Sequence, residues 1–337
     1  MIRRDPKALT GVRPTGELTI GNYLGAIQPV VNMQEEFDGP IGVFVADIHG
    51  LTDQEPKTVS ATRLVAARAL LAAGVDTSRT SIYLQSQIEN QTLYLANLFD
   101  RHTTPAELER VPTLKDKLKN DQSASNVNLS LFRYPVLMAA DIAIQDATHV
   151  PVGEDQLSHL ELTRRLVRRF NTKYDATSDG ILVEPKSLAR KALRIAALNA
   201  RDGKMSKSRP KSAILLRDSA DEVAKKVRKA QTALPGEMND TLDSHFMVAE
   251  LLSTDSEDKD EVLNLKKAHL DGEMVMADFK NLLTDRLNDF LTDFRDRYEN
   301  IDEKDVKLAL AEGGEQARDK ANEVTHRVRN SLGLDEL

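Results

Sequence analysis

The stretch Thr10–Gly25, TGVRPTGELTIGNYLG, constrains this chain more than any other. A β-leaning run ends near Val12, Arg13-Pro14-Thr15-Gly16 punctuates a turn, and a helical pattern opens through Thr19-Ile20-Gly21-Asn22. That is the entry to a βα unit. Unpaired backbone N–H groups and the positive end of the dipole make a helix start an anion site. Gly11, Gly16, Gly21 and Gly25 let a bulky ligand lie against bare backbone, and Thr19 and Asn22 offer side-chain donors there. The ligand this suggests is a nucleotide phosphate. Taken alone, the segment fits an ordinary βα unit with packing glycines better.

The rest of the chain extends the βαβ rhythm to about residue 217. Ile41–Ala46 is a continuous apolar run suited to a buried parallel strand, and Lys57–Gly74 reads as a helix stopped by its glycine. Thr80–Leu84 is the next strand, and Leu93–Leu118 is helical with breaks at Pro105 and Pro112. Asp121–Asn128 reads as a polar loop. A helix over Pro135–Gln145, a strand at His149–Val152, a helix over Glu154–Phe170 and a strand at Ile181–Val183 follow. From Asp218 onward only helices are expected, opened by the Ser219/Glu222 cap pattern and interrupted by an acidic loop at Ser253–Glu261. The fold class is α/β, a doubly wound parallel sheet of Rossmann type. The expected division is a catalytic domain over 1–217, with a helical insertion at about 100–135, and a helical domain over 218–337.

At 337 residues the chain is long enough for two domains. No apolar run approaches the roughly 20 residues that span a bilayer, and MIRRDPKAL shows no signal-type apolar core, so a cytoplasmic protein is expected. The absence of Cys removes disulfides and thiolate chemistry, and the seven His show no zinc-type spacing, so no protein-held metal is expected. The net charge of -7 is uneven: residues 1–217 carry 29 Lys+Arg against 24 Asp+Glu, and residues 218–337 carry 17 against 29. A polyanion could therefore touch the acidic half only locally.

Five further stretches bear on chemistry. Arg201–Lys211, RDGKMSKSRPK, holds five positive residues and one negative, a composition for a mobile loop presenting Lys204 and Lys207 beside small hydroxyls. Tyr134, Met138, Asp141 and Gln145 share one helical stripe, and Asp141 sits among apolar neighbours, where an unpaired carboxylate is costly. It needs a donor, which an internal Arg, a capped segment or a ligand could supply, while Met138 reads equally as core filling. His49 follows Ile41–Ala46 at the strand end where α/β ligand sites open, or else caps the Asp47 loop. Asp155, in Gly153-Glu154-Asp155-Gln156, is placed either for a ribose hydroxyl or for its own helix dipole. Arg164, Arg165, Arg168 and Arg169 form a basic helix face, ordinarily solvated and alternatively a phosphate track.

TIGN at Thr19–Asn22 resembles the HIGH signature, and Lys204-Met205-Ser206-Lys207-Ser208 matches the KMSKS signature, of class I aminoacyl-tRNA synthetases. GVRPTGELTIGNYLGAI, ADIHGLT, LERVPTLKDK, YPVLMAADI, VPVGEDQ and RIAALNARDGKMSKS extend the resemblance, in order over residues 9 to 211, to the tryptophanyl-tRNA synthetase family. The helical remainder is similar only in being helical.

The resemblance implies activation of tryptophan with ATP and Mg²⁺, transfer to tRNA(Trp), and a homodimer. It implies that Thr19, Gly21 and Asn22 lie along ATP while Lys204, Met205, Ser206 and Lys207 close over its phosphates, with Mg²⁺ bridging phosphate oxygens. Lys117, Gly153 and Asp155 join the ATP set, with Lys115 and Lys119 as neighbours of Lys117 that compete for its role. Leu9, Gly11, His49, Tyr134, Met138, Asp141, Val152 and Gln156 form the tryptophan set, with Asp141 receiving the indole N–H. Arg13 replaces a more frequent Gln, and its guanidinium could reach the substrate carboxylate, a phosphate or Asp141. The region after residue 218 would read the anticodon. Tyrosyl-tRNA synthetases share the scaffold and are the alternative; a non-catalytic RNA- or protein-binding paralogue is a third reading.

Overall fold

The apolar runs become a parallel sheet. The computed structural model describes residues 7–14, 16–115, 128–153, 156–175, 180–189, 193, 195–199, 203, 205 and 209–335. Strands β1 (Ala8–Val12), β2 (Ile41–Val45), β3 (Thr80–Leu84), β4 (His149–Val152) and β5 (Lys186–Ala189) lie in the order β3-β2-β1-β4-β5, each neighbouring pair parallel. All five residues of β2 are buried, as a central strand covered on both faces requires. The winding reverses between β1 and β4, and in such sheets the ligand crevice opens beyond the carboxyl ends of the strands at that point. The doubly wound class expected from the sequence is the one adopted.

The connecting helices are α1 (Ile20–Asn22), which runs through a π-helical turn at Tyr23–Ile27 into α2 (Gln28–Glu36), then α3 (Asp47–Gly50), α4 (Pro56–Ala72), α5 (Glu89–Asp100), α6 (Pro105–Leu108), α7 (Leu129–Ile144) and α8 (Leu157–Tyr174). Helices α9 (Ala220–Arg228), α10 (Asp240–Leu252), α11 (Ser256–Leu270), α12 (Met276–Asn300) and α13 (Glu303–Ser331) follow. No helix among the described residues is long and apolar enough to cross a membrane.

Two expectations fail locally. Ile181–Val183 is not a strand: Leu182 donates its N–H to Asn171 Oδ1 at 2.9 Å and accepts from Asn171 Nδ2 at 2.8 Å, so a side chain occupies the groups a ladder would use. The fifth strand lies at Lys186–Ala189 instead. Nor is Ser253–Glu261 a loop throughout, because Asp255 accepts from the Asp258 N–H at 2.9 Å and α11 starts at Ser256. Its carboxylates crowd the end of the helix where the dipole favours them. Of the polar run 121–128, only Asn128 is among the described residues; it caps α7.

The chain forms two compact units, one of Met1–Gly16, Val30–Ala192 and Glu303–Leu337, the other of Glu17–Pro29 and Leu193–Asp302. The division is not a single cut near residue 217, because α13 packs on the sheet. A Cβ added to Gly313 would stand 2.1 Å from the Ile82 carbonyl oxygen, so the helix lies directly on edge strand β3. Gln87 Nε2 and Gln145 Nε2 donate to the α13 carbonyls of Leu310 and Ala317, each at 2.8 Å. Arg327 reaches Asp146 at 2.6 Å. A helix on β3 protects an edge that would otherwise expose apolar sequence.

Candidate active site

In the sheet unit the carboxyl ends of the strands carry a connected polar network. Asp141, on α7, is 4% exposed. Gln85, the first residue after β3, donates Nε2 to both Asp141 oxygens at 2.8 Å and accepts the His49 N–H on Oε1 at 2.9 Å. Burial pushes the Asp141 carboxyl up to about 8; the Gln85 hydrogen bonds pull it down, and the nearby Asp47 raises it further. Asp47 accepts the Ser86 N–H and hydroxyl at 2.9 and 2.6 Å, so the turns after β2 and β3 are joined twice.

Tyr134, nearly two helical turns before Asp141, places its hydroxyl 2.8 Å from Thr113 Oγ1 and 3.1 Å from His159 Nε2. The His49 ring meets Tyr134 edge-on at 5.4 Å between centroids. Burial raises the Tyr134 phenol, and the Thr113 hydrogen bond opposes this. Gly11 lies beside Phe44: a Cβ there would stand 2.6 Å from the ring tip, so only glycine leaves the ring in place. Phe44 in turn contacts Tyr83 at 5.8 Å, and the Tyr83 phenol is raised well above its usual range by burial and by Asp141.

Several expected site residues thus meet. His49, Tyr134 and Asp141 are linked through Gln85 and ring contact, and Leu9 and Val152 are buried in the core cluster against which Met138 packs. Gln156 opens α8 with its N–H on the Gly153 carbonyl at 3.0 Å. Gln145 leaves the stripe: past the end of α7 it accepts from Lys7 Nζ at 2.9 Å and holds α13. Arg13 pairs with Asp53 and not with Asp141. The basic face of α8 is largely neutralised locally, since Arg168 pairs with Glu184 and Arg169 with Glu107, each at 2.6 Å, and Arg164 donates to the Pro185 carbonyl at 2.8 Å.

The other unit holds both signature segments. Thr19 Oγ1 accepts from the Asn22 N–H at 3.2 Å and Asn22 Oδ1 accepts from the Thr19 N–H at 3.0 Å, a reciprocal cap. Thr19 is 1% exposed and its hydroxyl also donates to Asn22, so it shapes the helix start, while the half-exposed Asn22 keeps its amide N–H₂. The segment is pinned on both sides, by Ile20 N–H to the Ile214 carbonyl at 2.9 Å and Leu216 N–H to the Leu18 carbonyl at 2.8 Å. Tyr23 anchors it on α12 through Phe290 and Phe294 at 4.5 and 6.1 Å.

Met205 donates its N–H to the Ile195 carbonyl at 3.0 Å, and Ala197 donates to the Gly203 carbonyl at 2.8 Å. A Cβ on Gly21 would lie 3.4 Å from Ile195 Cβ and 3.7 Å from Met205 Cβ. The TIGN helix start and the methionine of KMSKS are therefore neighbours, nearly 200 residues apart in sequence. Lys117, Asp155, Lys204, Ser206 and Lys207 lie outside the described residues.

Sequence reasoning missed Gln85 and the Asp47–Ser86 pair. The available signal was position: a buried amide directly after strand TSIYL, at the sheet edge where ligands bind.

A family model for tRNA synthetases class I (W and Y) matches residues 1–292. The chain belongs to that family. Among curated members of this class I synthetase family, the tryptophan–tRNA ligase of Helicobacter pylori is 32% identical over 97% of this chain and 98% of its own. That of Synechocystis sp. is 35% identical over 98% of each. The tryptophanyl-tRNA synthetase structure from Mycoplasma pneumoniae superposes with a TM-score of 0.83 at 29% identity, covering 98% of both chains. The Campylobacter jejuni enzyme, complexed with ADP and tryptophan, gives 0.79 at 29% identity, covering 97% of this chain and 100% of that one. A tyrosyl-tRNA synthetase from Archaeoglobus fulgidus shares the fold at 22% identity and a TM-score of 0.68.

Proposed function

We propose that this class I synthetase is a tryptophan–tRNA ligase, joining L-tryptophan to ATP to give tryptophanyl-adenylate and pyrophosphate and then transferring the tryptophanyl group to tRNA(Trp). The observation that carries the choice of amino acid is Asp141. It is a buried acid whose hydrogen bonds, among the described residues, come from a neutral amide, which leaves acceptor capacity for an indole N–H. The whole-length likeness to tryptophan–tRNA ligases supports the same reading.

The amino-acid carboxylate is ionised at neutral pH and needs no general base to attack the α-phosphorus. The protein's task is to align two anions and to stabilise charge moving onto pyrophosphate. In this reading Leu9, Gly11, His49, Tyr134, Met138, Asp141 and Val152 form the tryptophan pocket and Gln156 meets the substrate amine. Arg13, paired with Asp53, is assigned to the substrate carboxylate or a phosphate. Thr19 sets the helix start on which Gly21 and Asn22 meet ATP. Lys204, Met205, Ser206 and Lys207 close over its phosphates, Lys117 and Gly153 adjoin them, and Asp155 takes a ribose hydroxyl. Mg²⁺ would enter with ATP and supply positive charge to its phosphates alongside Lys204 and Lys207.

Anticodon reading is assigned to α9–α12, by stacking and edge contacts because the region is acidic. A homodimer in the cytoplasm, where tRNA is charged, completes the proposal. ATP–pyrophosphate exchange with each amino acid supplied separately tests it. Exchange dependent on tryptophan is the expected result; dependence on tyrosine, or inactivity with every amino acid, would overturn it.

A further inference from the structure

Resting on the assignment of Asp141 to the indole, we propose that Gln85 is the positioning residue that sets specificity for a ring N–H, by clamping the Asp141 carboxylate from behind with a neutral amide. The terminal torsion of a carboxylate is broad, so a buried aspartate needs an outside hold to present one acceptor direction. Gln85 supplies that hold. Its Nε2 stands 2.8 Å from each Asp141 oxygen, and its side chain is fully buried. The amide cannot turn over, because Oε1 accepts the His49 N–H at 2.9 Å and a reversed amide would set oxygen against the carboxylate.

The chemistry of the clamp matters as much as its geometry. An ionised carboxylate has about four lone-pair sites, and this contact leaves roughly half of them for another donor. A lysine or arginine in place of Gln85 would neutralise the acid and weaken its hold on a neutral N–H. Among the described residues, the charged and titratable groups coupled electrostatically to Asp141 are Asp47, after β2, and Tyr83, on β3. Neither is a cation. Asp47 is itself occupied by Ser86, so the turn carrying Gln85 is fixed at the adjacent residue too. Burial that raises the Asp141 carboxyl is opposed by Gln85, so removing the amide shifts the acid further towards its protonated form.

The test compares ATP–pyrophosphate exchange with L-tryptophan and with 3-benzothienyl-L-alanine, which has the same ring shape with sulfur in place of N–H. Wild type, Gln85→Met and Asp141→Asn are measured from about pH 6 to 9. Gln85→Met is expected to lower the tryptophan-to-analogue ratio of kcat/KM by about tenfold or more, through the KM for tryptophan, with analogue kinetics and the KM for ATP nearly unchanged. The remaining discrimination should rise with pH over a higher range than in wild type.

If Gln85→Met folds poorly by thermal unfolding, Gln85→Leu, which also removes the donor, carries the same expectation. Equal loss for both substrates, or an unchanged ratio and pH profile, would overturn the proposal. If Asp141→Asn abolishes discrimination while Gln85→Met preserves it, the Gln85 proposal alone fails. If Asp141→Asn preserves it, the indole assignment fails as well.

Discussion

Asp141→Asn should separate what this site does for function from what it costs in stability. In the folded, substrate-free protein the carboxyl titrates at about 8, against 3.8 for an ordinary aspartate. Between those values the folded state keeps a proton that the unfolded chain releases. Stability contributed by this group is therefore full below the ordinary value and lost as pH rises toward about 8. At about 1.36 kcal/mol per pH unit the loss is on the order of 6 kcal/mol, an upper figure because interiors relax around charge.

Asparagine cannot titrate and escapes this loss. It does present one N–H₂ to Gln85 Nε2, where aspartate presents two oxygens at 2.8 Å, and an opposed pair of donors costs about 1–3 kcal/mol. The variant should thus lie within about 1 kcal/mol of wild type near pH 5, where about 1.6 kcal/mol of that loss is already felt, and be more stable by about 3 kcal/mol near pH 8.5. Urea denaturation followed by circular dichroism, without substrate, measures both. A difference between variant and wild type that stays flat across that range would refute the reasoning, because it would mean that Asp141 titrates normally.

Gly313→Ala should lower the thermal midpoint, since the added methyl meets the Ile82 carbonyl oxygen at 2.1 Å; displacing α13 from β3 costs about 1–3 kcal/mol, more than the about 1 kcal/mol gained in helix propensity. A rise in midpoint by differential scanning calorimetry would contradict the packing. His245 is 3% exposed, and burial holds its imidazole down to about 4 from 6.5, so the unfolded chain takes up a proton in that interval that the folded one does not. Stability should therefore fall by up to about 3 kcal/mol as pH drops from 6.5 to 4, and His245→Gln should flatten that slope in chemical denaturation. Lys204→Ala should slow adenylate formation in single-turnover kinetics far more than it weakens tryptophan binding; equal effects on both would remove Lys204 from the phosphates.

Much of this was legible from residues alone. A continuous apolar run gave β2, because a strand buried on both faces leaves that pattern. TIGN and KMSKS named two segments that fold together through Gly21, Ile195 and Met205. The apolar setting of Asp141 demanded a donor. What stayed hidden depended on contacts between distant residues. Nothing local marks Gln85 as the partner of residue 141, and nothing in Ile181-Leu182 says that the Asn171 side chain takes the backbone groups of a would-be strand. The Gly313-Gly314 pair looks like a flaw inside α13 until Ile82 and the Gln87 side chain are seen against it. Charge also misled: the acidic run before α11 is a helix start, where carboxylates are favoured.

The chain contains no tryptophan, so an indole resonance in a sample with bound L-tryptophan labelled with ¹⁵N in the ring belongs to the ligand. The proton–nitrogen spectrum of that complex reports directly on whether a buried acid accepts the indole N–H. The account predicts an indole proton moved downfield on binding, slowed in exchange with water, and returned towards its free position in Asp141→Asn. An indole proton at the free position in the wild-type complex, or one unmoved by Asp141→Asn, would contradict it.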